Sequence, residues 1–400
     1  MTVTTQLTVD VNAVASVDEI GRLAWDALAV GRRAIPFLHH GFLSALEESG
    51  SLAKRTGWST MHLAARVTIP GMEQGPVVGL APAFVKSHSM GEFVYDWAWA
   101  EAAERMGTRY YPKMILAAPF SPVTGERLLV APEVAGEASD AVRRALLVQA
   151  VETARALRCS GVHLLFCTAN EVRIAQELGF THRLGCQFHW DNAGYADFDA
   201  FLARFDSKRR NQIRRERRRV SEQGVTVTSL VGDAVGDDLI GPAFDFYEAT
   251  IARFAWGRRY LNRTFFELLW QRMRPYLQVM VARRGDAIVG GSLNLESLPQ
   301  GAPGGTRFGR YWGALDEVDS LHFEVCAYAA IEDCIKRGVV GFEAGAGGEE
   351  HKLGRGFLPH RTHSAHLLFE PRLHGAIADF CEREATHIES GIASTQVFVR

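Results

Sequence analysis

Residues 338–357 read GVVGFEAGAGGEEHKLGRGF, and residues 161–180, lying 177 positions earlier, read GVHLLFCTANEVRIAQELGF. Each stretch opens on a glycine, runs into an apolar strand pattern, and reaches a Gly-Phe pair (Gly179-Phe180, Gly356-Phe357) 18 residues after that glycine. A basic residue follows, Arg183 or Arg361, and then a second strand pattern, RLGCQFHW or HSAHLLF. Helical spacing precedes both stretches: Leu147, Val151, Ala154 and Leu157 in one case, and Leu321, Val325, Tyr328, Ile331 and Ile335 in the other. Two helix–strand–helix–strand units at a fixed offset indicate a duplicated α/β domain with mixed sheets.

The chain of 400 residues is long for one hydrophobic core, so two domains are expected. The repeat places them at residues 21–200 and 201–400, behind an N-terminal arm at 1–20. A hydrophobic fraction of 47% and a charged fraction of 22% are those of a globular protein. A net charge of −2 excludes a globally basic nucleic-acid binder, leaving local patches open. The six cysteines are scattered with no CxxC pair, as expected of buried thiols in a reducing compartment. The N-terminal MTVTTQLTVDVNAV has neither a basic start nor a long apolar run, and no stretch approaches the roughly 20 apolar residues of a membrane span. A cytoplasmic protein is expected.

Eight of the twelve residues at 208–219 are basic, within the helical segment SKRRNQIRRERRRVSEQG at 207–224. A solvated helix partly compensated by Glu216 would account for it, but such density repels itself unless an anion relieves it. Arginine predominates, which suits forked recognition of phosphate. Lys208, Arg209, Arg210, Arg214, Arg215, Arg217 and Arg218 are therefore candidate phosphate ligands.

The polar residues around the second copy suggest a metal site first. His360, His363 and His366 are spaced by three, but Pro359 and the strand pattern prevent a helix from converging them. There is no HExxH motif and no cysteine ligand set, so no metal is expected. P-loop, GxGxxG and GxSxG signatures are also missing. What remains is acid–base chemistry. Glu343 ends a strand, glycines bend the chain after it, and Glu349, His351, Lys352 and Arg355 follow. A strand-end carboxylate or a histidine can take a proton from an attacking amine, while a lysine or arginine steadies an oxyanion or phosphate. A structural ion-pair network would use the same residues. The first copy builds the same segment with an amphipathic helix and no catalytic-looking residues, which favours the second as the functional one. Two aromatic-polar patches supply candidate ligand contacts: His88, Asp96, Trp97, Tyr111 and Lys113 in one, and Arg310, Tyr311, Trp312, His322 and Glu324 in the other.

KSHSMGEFVYDWAWAEAAERMGTRYYPK, APFSPVTGERLL, RFAWGRRYLNRTFFELL, GRYWG…LHFE and EHKLGRGFLP resemble motifs of bacterial N-acyltransferases described as peptidoglycan-biosynthesis-like. That group is similar to the Fem-type aminoacyltransferases of the GNAT superfamily, and the likeness runs from about residue 25 to the C-terminus. It implies tandem GNAT-like domains and transfer of an acyl group to an amine. Fem-type relatives take the group from aminoacyl-tRNA, whereas ordinary GNAT enzymes take it from acyl-CoA. Two departures from the pattern, the doubled Glu in GAGGEEHKL and the Ala in LHFEVCAYAAI, fall on the expected acceptor side.

An acyl-CoA pyrophosphate needs an [RQ]xxGx[GA] loop leading into a helix N-terminus. The nearest stretch, RYWGAL at 310–315, ends in Leu315 and runs into Asp316, Glu317 and Asp319. The reading that follows is aminoacyl-tRNA as donor, with acyl-CoA as the alternative and a non-catalytic RNA-binding protein as a third. No resident cofactor is expected. Glu343 or His351 would be the base and Glu324 its reserve, with Lys352 and Arg355 at the oxyanion or a phosphate. The acceptor, a small-molecule or cell-wall-type amine, would meet His88, Asp96, Trp97, Tyr111, Lys113, Tyr260, Arg310, Tyr311, Trp312, His322 and Glu349.

Overall fold

The structure is a computed structural model that describes residues 8–30, 35–69, 71–72, 74–252, 259–347 and 349–397. By internal packing the chain forms two compact units, Met1–Cys186 with Arg361–Arg400, and Gln187–His360.

The first unit contains β1 (Val9–Val14), α1 (Arg22–Ala29), α2 (His40–Glu48), β2 (Trp58–Thr60), β3 (His62–Val67), β4 (Val77–Ala81) and β5 (Ala83–Lys86). After these come α3 (Trp97–Arg105), β6 (Lys113–Leu116), β7 (Leu129–Val130), α4 (Gly136–Ala156), β8 (Gly161–Cys167) and α5 (Ala169–Glu177). Strand β9 (Thr181–Asp191) then leads into the second unit. That unit holds α6 (Phe198–Leu202), α7 (Ser207–Glu222), β10 (Val225–Val231), α8 (Ile240–Ala252), α9 (Arg263–Met273), β11 (Leu277–Arg284), β12 (Ala287–Glu296) and β13 (Thr306–Ala314). A broken helix follows, with α10 (Leu321–Phe323), a π-helical turn (Glu324–Tyr328) and α11 (Ala329–Arg337). Then come β14 (Gly341–Glu343) and α12 (Glu349–Leu353), and β15 (Leu358–Leu368) leads back to the first unit, which ends with α13 (Pro371–Val397).

Both copies therefore fold as helix–strand–helix–strand. Their glycines explain the shared spacing. Gly179 (φ +84°) and Gly356 (φ +88°) both sit in the left-handed region, where a side chain is strained, and each turns a short helix into the next strand. Gly338 (φ +68°) caps α11 in the same way. Gly161 is small for another reason, since a Cβ there would run into the Leu367 carbonyl.

The last strand of each sequence copy pairs with the first strand of the other copy. In the first unit β8 runs antiparallel to residues 363–368 of β15, beside the row β2-β5-β6-β8. A separate four-stranded sheet is ordered β1-β3-β4-β7. In the second unit β10 to β14 lie in chain order, and β14 pairs antiparallel with residues 189–191 of β9. This exchange places the boundaries. Residues 361–400 belong with the first unit rather than the second, and residues 187–200 with the second. Nor are the described residues of the expected arm detached, since β1 pairs with β3 along Val9↔Val67 to Val14↔His62.

The expected face of the second-copy helix is buried, with Leu321, Val325, Tyr328 and Ile331 each no more than 2% exposed. Its π turn was not expected. Glu324 and Tyr328, at the ends of that turn, both bond to α7. No helix among the described residues is long and apolar enough to cross a membrane.

Candidate active site

Strand β14 is only Gly341–Glu343, and it pairs in parallel with Thr306–Phe308 of β13 along its whole length. Glu343 is its last residue, where the strand gives way to the glycine-rich bend. Its register partner across the sheet is His189, whose Nε2 is 3.9 Å from Glu343 Oε2. The His189 ring stacks on His360 (centroids 4.7 Å apart), and His360 is held by Asp191 at 2.8 Å. Burial, aided by His360 and Lys352, pushes His189 down to about 3. The group facing Glu343 is thus a neutral imidazole at pH 7.

Beyond Glu343 the chain bends through Gly345 and Gly347, both near φ +79°. The Lys352 ammonium donates to the Gly345 carbonyl and closes the bend. His351 is exposed, with its ring 5.9 Å from that of Phe323. Glu349 begins α12, and its side chain lies outside the described residues.

Arg355 points into protein. It is 6% exposed, donates to Glu216 Oε2 (2.9 Å) and the His351 carbonyl (2.9 Å), and lies 3.3 Å over the Phe323 ring. Glu216 also accepts from the Tyr328 hydroxyl and from Gln212 at 2.8 Å. Burial alone would raise the Glu216 carboxyl, but these hydrogen bonds and the Arg355 charge hold it below the usual range. Arg355 therefore pins the bend to α7, and its guanidinium faces no open site.

Glu324 is equally committed. Arg217 Nε lies 3.2 Å from both of its oxygens, and Arg217 Nη2 reaches Glu332 at 2.6 Å. Burial raises the Glu324 carboxyl despite that cation. The basic helix is thus divided in use. Asp206 caps its N-terminus by accepting from the Arg209 N–H at 2.7 Å. Arg217 turns inward, Arg210 donates to the Phe205 carbonyl, and Arg209 bonds Gln212 (3.0 Å) close to Gly354. Lys208, Arg214, Arg215 and Arg218 are exposed.

Strand β13 carries a bulge at Arg310, between the pairs Asn294↔Gly309 and Leu293↔Tyr311. Tyr311 is buried against Tyr247 and Phe266, and its hydroxyl is raised by burial. Trp312 meets the exposed His322 with centroids 4.6 Å apart. These two rings wall a groove of about 520 Å³ whose rim is the turn at 315–320. The Tyr260 N–H donates to the Tyr247 hydroxyl at 2.8 Å, while the preceding FAWGR at 254–258 lies outside the described residues.

The family described as FemAB-like, peptidoglycan biosynthesis/recognition, matches residues 16–398. The chain belongs to the FemAB-like family. Among solved structures it is similar to FemX, with 12% identity, 89% of this chain and 98% of that one covered, and a TM-score of 0.50. A conserved protein of unknown function from Bacteroides thetaiotaomicron aligns with 11% identity over 90% and 100% of the two chains, at a TM-score of 0.51. A tandem GNAT protein from the clavulanic acid biosynthesis pathway aligns with 14% identity over 91% and 99%, at a TM-score of 0.40. No curated protein matches. The fold is the one shared with FemX, and the family's description ties the chain to peptidoglycan biosynthesis or recognition.

In the first unit of this FemAB-like protein two of the five expected ligand contacts, Asp96 and Lys113, are interior. Lys113 is buried and donates to Ser89 (2.9 Å), Glu92 (2.7 Å) and Asp96, while Tyr110 donates to Asp96 at 2.6 Å. Burial opposes ionisation of Asp96, but Lys113 beside it holds the carboxyl below its usual range. Burial also brings Glu92 up to about 7 and Lys86 down to about 7. Tyr111 bonds Ser89 at 2.7 Å, His88 Nδ1 accepts from the Met90 N–H at 3.2 Å, and Trp97 is half exposed beside Tyr95.

Sequence reasoning missed His189, Glu216, Tyr328 and Glu332. Glu216 was traceable, because it falls between Ile213 and Val220 on the buried stripe of α7. His189 was not, because its position opposite Glu343 depends on strand register. The histidines of β15 diverge as expected: His363 meets His182 at 3.0 Å and His366 meets His163 at 2.9 Å.

Proposed function

We propose that the protein forms amides by moving an aminoacyl group from aminoacyl-tRNA to the amine of a small-molecule or cell-wall-type acceptor. The turn between β13 and α10 carries this reading. There the N–H groups of Leu315 and Asp316 donate to the Val289 carbonyl (2.8 and 3.2 Å), that of Glu317 to Asp316 Oδ1 (2.8 Å), and that of Asp319 to Gln223 Oε1 (3.0 Å). A pyrophosphate needs such groups free and a neutral or cationic rim. It would instead meet Asp316, Glu317 and Asp319. Phosphate-binding capacity lies on the outer face of α7, in Lys208, Arg214, Arg215 and Arg218.

The chemistry needs no covalent enzyme intermediate. The acceptor nitrogen attacks the ester carbonyl and Glu343 takes its proton as the C–N bond forms. Collapse of the tetrahedral intermediate breaks the C–O bond and returns the proton to the departing ribose oxygen. His189, neutral at pH 7, places no charge beside Glu343. Lys352 fixes the bend that carries the site, and its ammonium is the group assigned to steady the oxyanion. Arg355 and Glu324 hold the surrounding frame.

Thermal unfolding with each donor tests the reading. Charged tRNA is expected to raise the midpoint and CoA to leave it unchanged. A CoA-induced rise without any response to tRNA would contradict the proposal.

A further inference from the structure

The groove beside Trp312 has the opposite character from a phosphate site. Its volume of about 520 Å³ is in the range of small-ligand sites. Trp312, His322 and Phe323 form an aromatic wall, and Asp316, Glu317 and Asp319 stand on the rim. Asp316 is already paired with Arg284 at 2.6 Å. Among the described residues, neither Glu317 nor Asp319 has a cation within ion-pair distance. Two exposed carboxylates at the mouth of an aromatic-walled groove attract a cation, which the ring faces hold as well.

We propose that this groove binds an aliphatic ammonium group that does not itself react. The reacting amine must be neutral to attack, so the bound ammonium is a second one. It is either the distal ammonium of a diamine-type acceptor or the α-ammonium of the aminoacyl group. This assignment deepens the transferase reading and rests on it for the identity of the ligand. The recognition chemistry rests on the groove alone.

Calorimetric titration of the full chain at low salt tests it. The probes are 1,5-diaminopentane for the acceptor, glycine ethyl ester for the aminoacyl group, and uncharged 1,5-pentanediol as the control. Saturable binding of a cationic probe is expected, with the diol silent. The double variant Glu317→Gln/Asp319→Asn, altered at two exposed positions, is expected to keep its thermal midpoint and bind about tenfold more weakly, as two partly exposed charge contacts imply. Trp312→Leu is expected to weaken binding without changing its salt dependence. Preference for the diamine assigns the groove to the acceptor, and preference for the ester assigns it to the donor. Equal affinity in wild type and the double variant, or binding of the diol as strong as that of the cations, overturns the proposal. Because no donor or turnover is involved, failure here leaves the tRNA reading standing. Ribonuclease-insensitive turnover would remove that reading and leave the groove.

Discussion

Replacing Glu216 by alanine is expected to loosen the glycine-rich bend more than any other single change in α7. Glu216 receives Arg355 Nη2 at 2.9 Å, Gln212 at 2.8 Å and the Tyr328 hydroxyl, and its loss leaves the Arg355 charge buried without a counter-ion. Breaking one side of a buried ion pair costs about 3–5 kcal/mol. Arg355 keeps the His351 carbonyl and the Phe323 ring, so the lower end, about 3 kcal/mol, applies. For a cooperative unit of roughly 150–250 residues this is a fall of about 6–12 °C in midpoint. Calorimetric unfolding measures it. The double variant Glu216→Leu/Arg355→Met removes both charges and is expected to recover more than half of the loss, since apolar pairs of similar volume replace buried ion pairs at little cost. A Glu216→Ala midpoint within about 2 °C of wild type, a loss under roughly 1 kcal/mol, would refute the structural role assigned to this pair.

Glu343→Gln is expected to lower single-turnover amide formation by about 10²- to 10⁴-fold, and His351→Ala by less than tenfold, because Glu343 ends β14 opposite His189 whereas His351 is exposed. Equal losses, or near-normal rates in both, would move the base elsewhere. Acid is expected to destabilise the fold through its buried histidines, since burial lowers His163 and His189 to about 3 and His39 to about 4, and also lowers His366. The unfolded chain then binds more protons, so stability is complete above about pH 6.5 and falls as pH drops through 6 towards 3, by up to roughly 1.4 kcal/mol per unit for each such histidine. Urea titrations at stepped pH measure this, and a flat profile from pH 7 to 4 would contradict it. Arg214, Arg215 and Arg218, each changed to alanine, are expected to weaken RNA binding and to reduce the salt slope by about 0.7–0.9 for each phosphate no longer neutralised. Arg217→Ala is expected to lower stability through Glu324 and Glu332 and to leave that slope unchanged.

The repeat was legible because glycine leaves a mark that side-chain packing does not. Gly179, Gly338 and Gly356 adopt backbone angles that few other residues tolerate, and their spacing carried the fold. Strand exchange left no such mark. A strand's pattern of buried residues is the same whichever neighbour it bonds, so the placement of residues 361–400 and the opposition of His189 and Glu343 needed the three-dimensional register. Charge was read correctly in amount and only partly in direction. The run at 208–219 does build an exposed cationic face, but Arg217 and Glu216 turn inward because they share the side of α7 that holds Ile213 and Val220. For Arg355, Asp96 and Lys113, residue type suggested ligand contact, whereas the structure occupies them with buried partners of opposite charge. Composition does not separate the two uses, since both call for a charged group set in apolar surroundings.

Transfer of label from donor to amine decides which donor the protein uses. Purified chain is mixed with tRNA carrying a radiolabelled amino acid and with a panel of amines, and the amide product is resolved with and without ribonuclease, in parallel with labelled acyl-CoA. Labelled amide from the tRNA arm, abolished by ribonuclease and matched by no product from acyl-CoA, is the expected result. Amide formed from acyl-CoA and indifferent to ribonuclease would contradict the account.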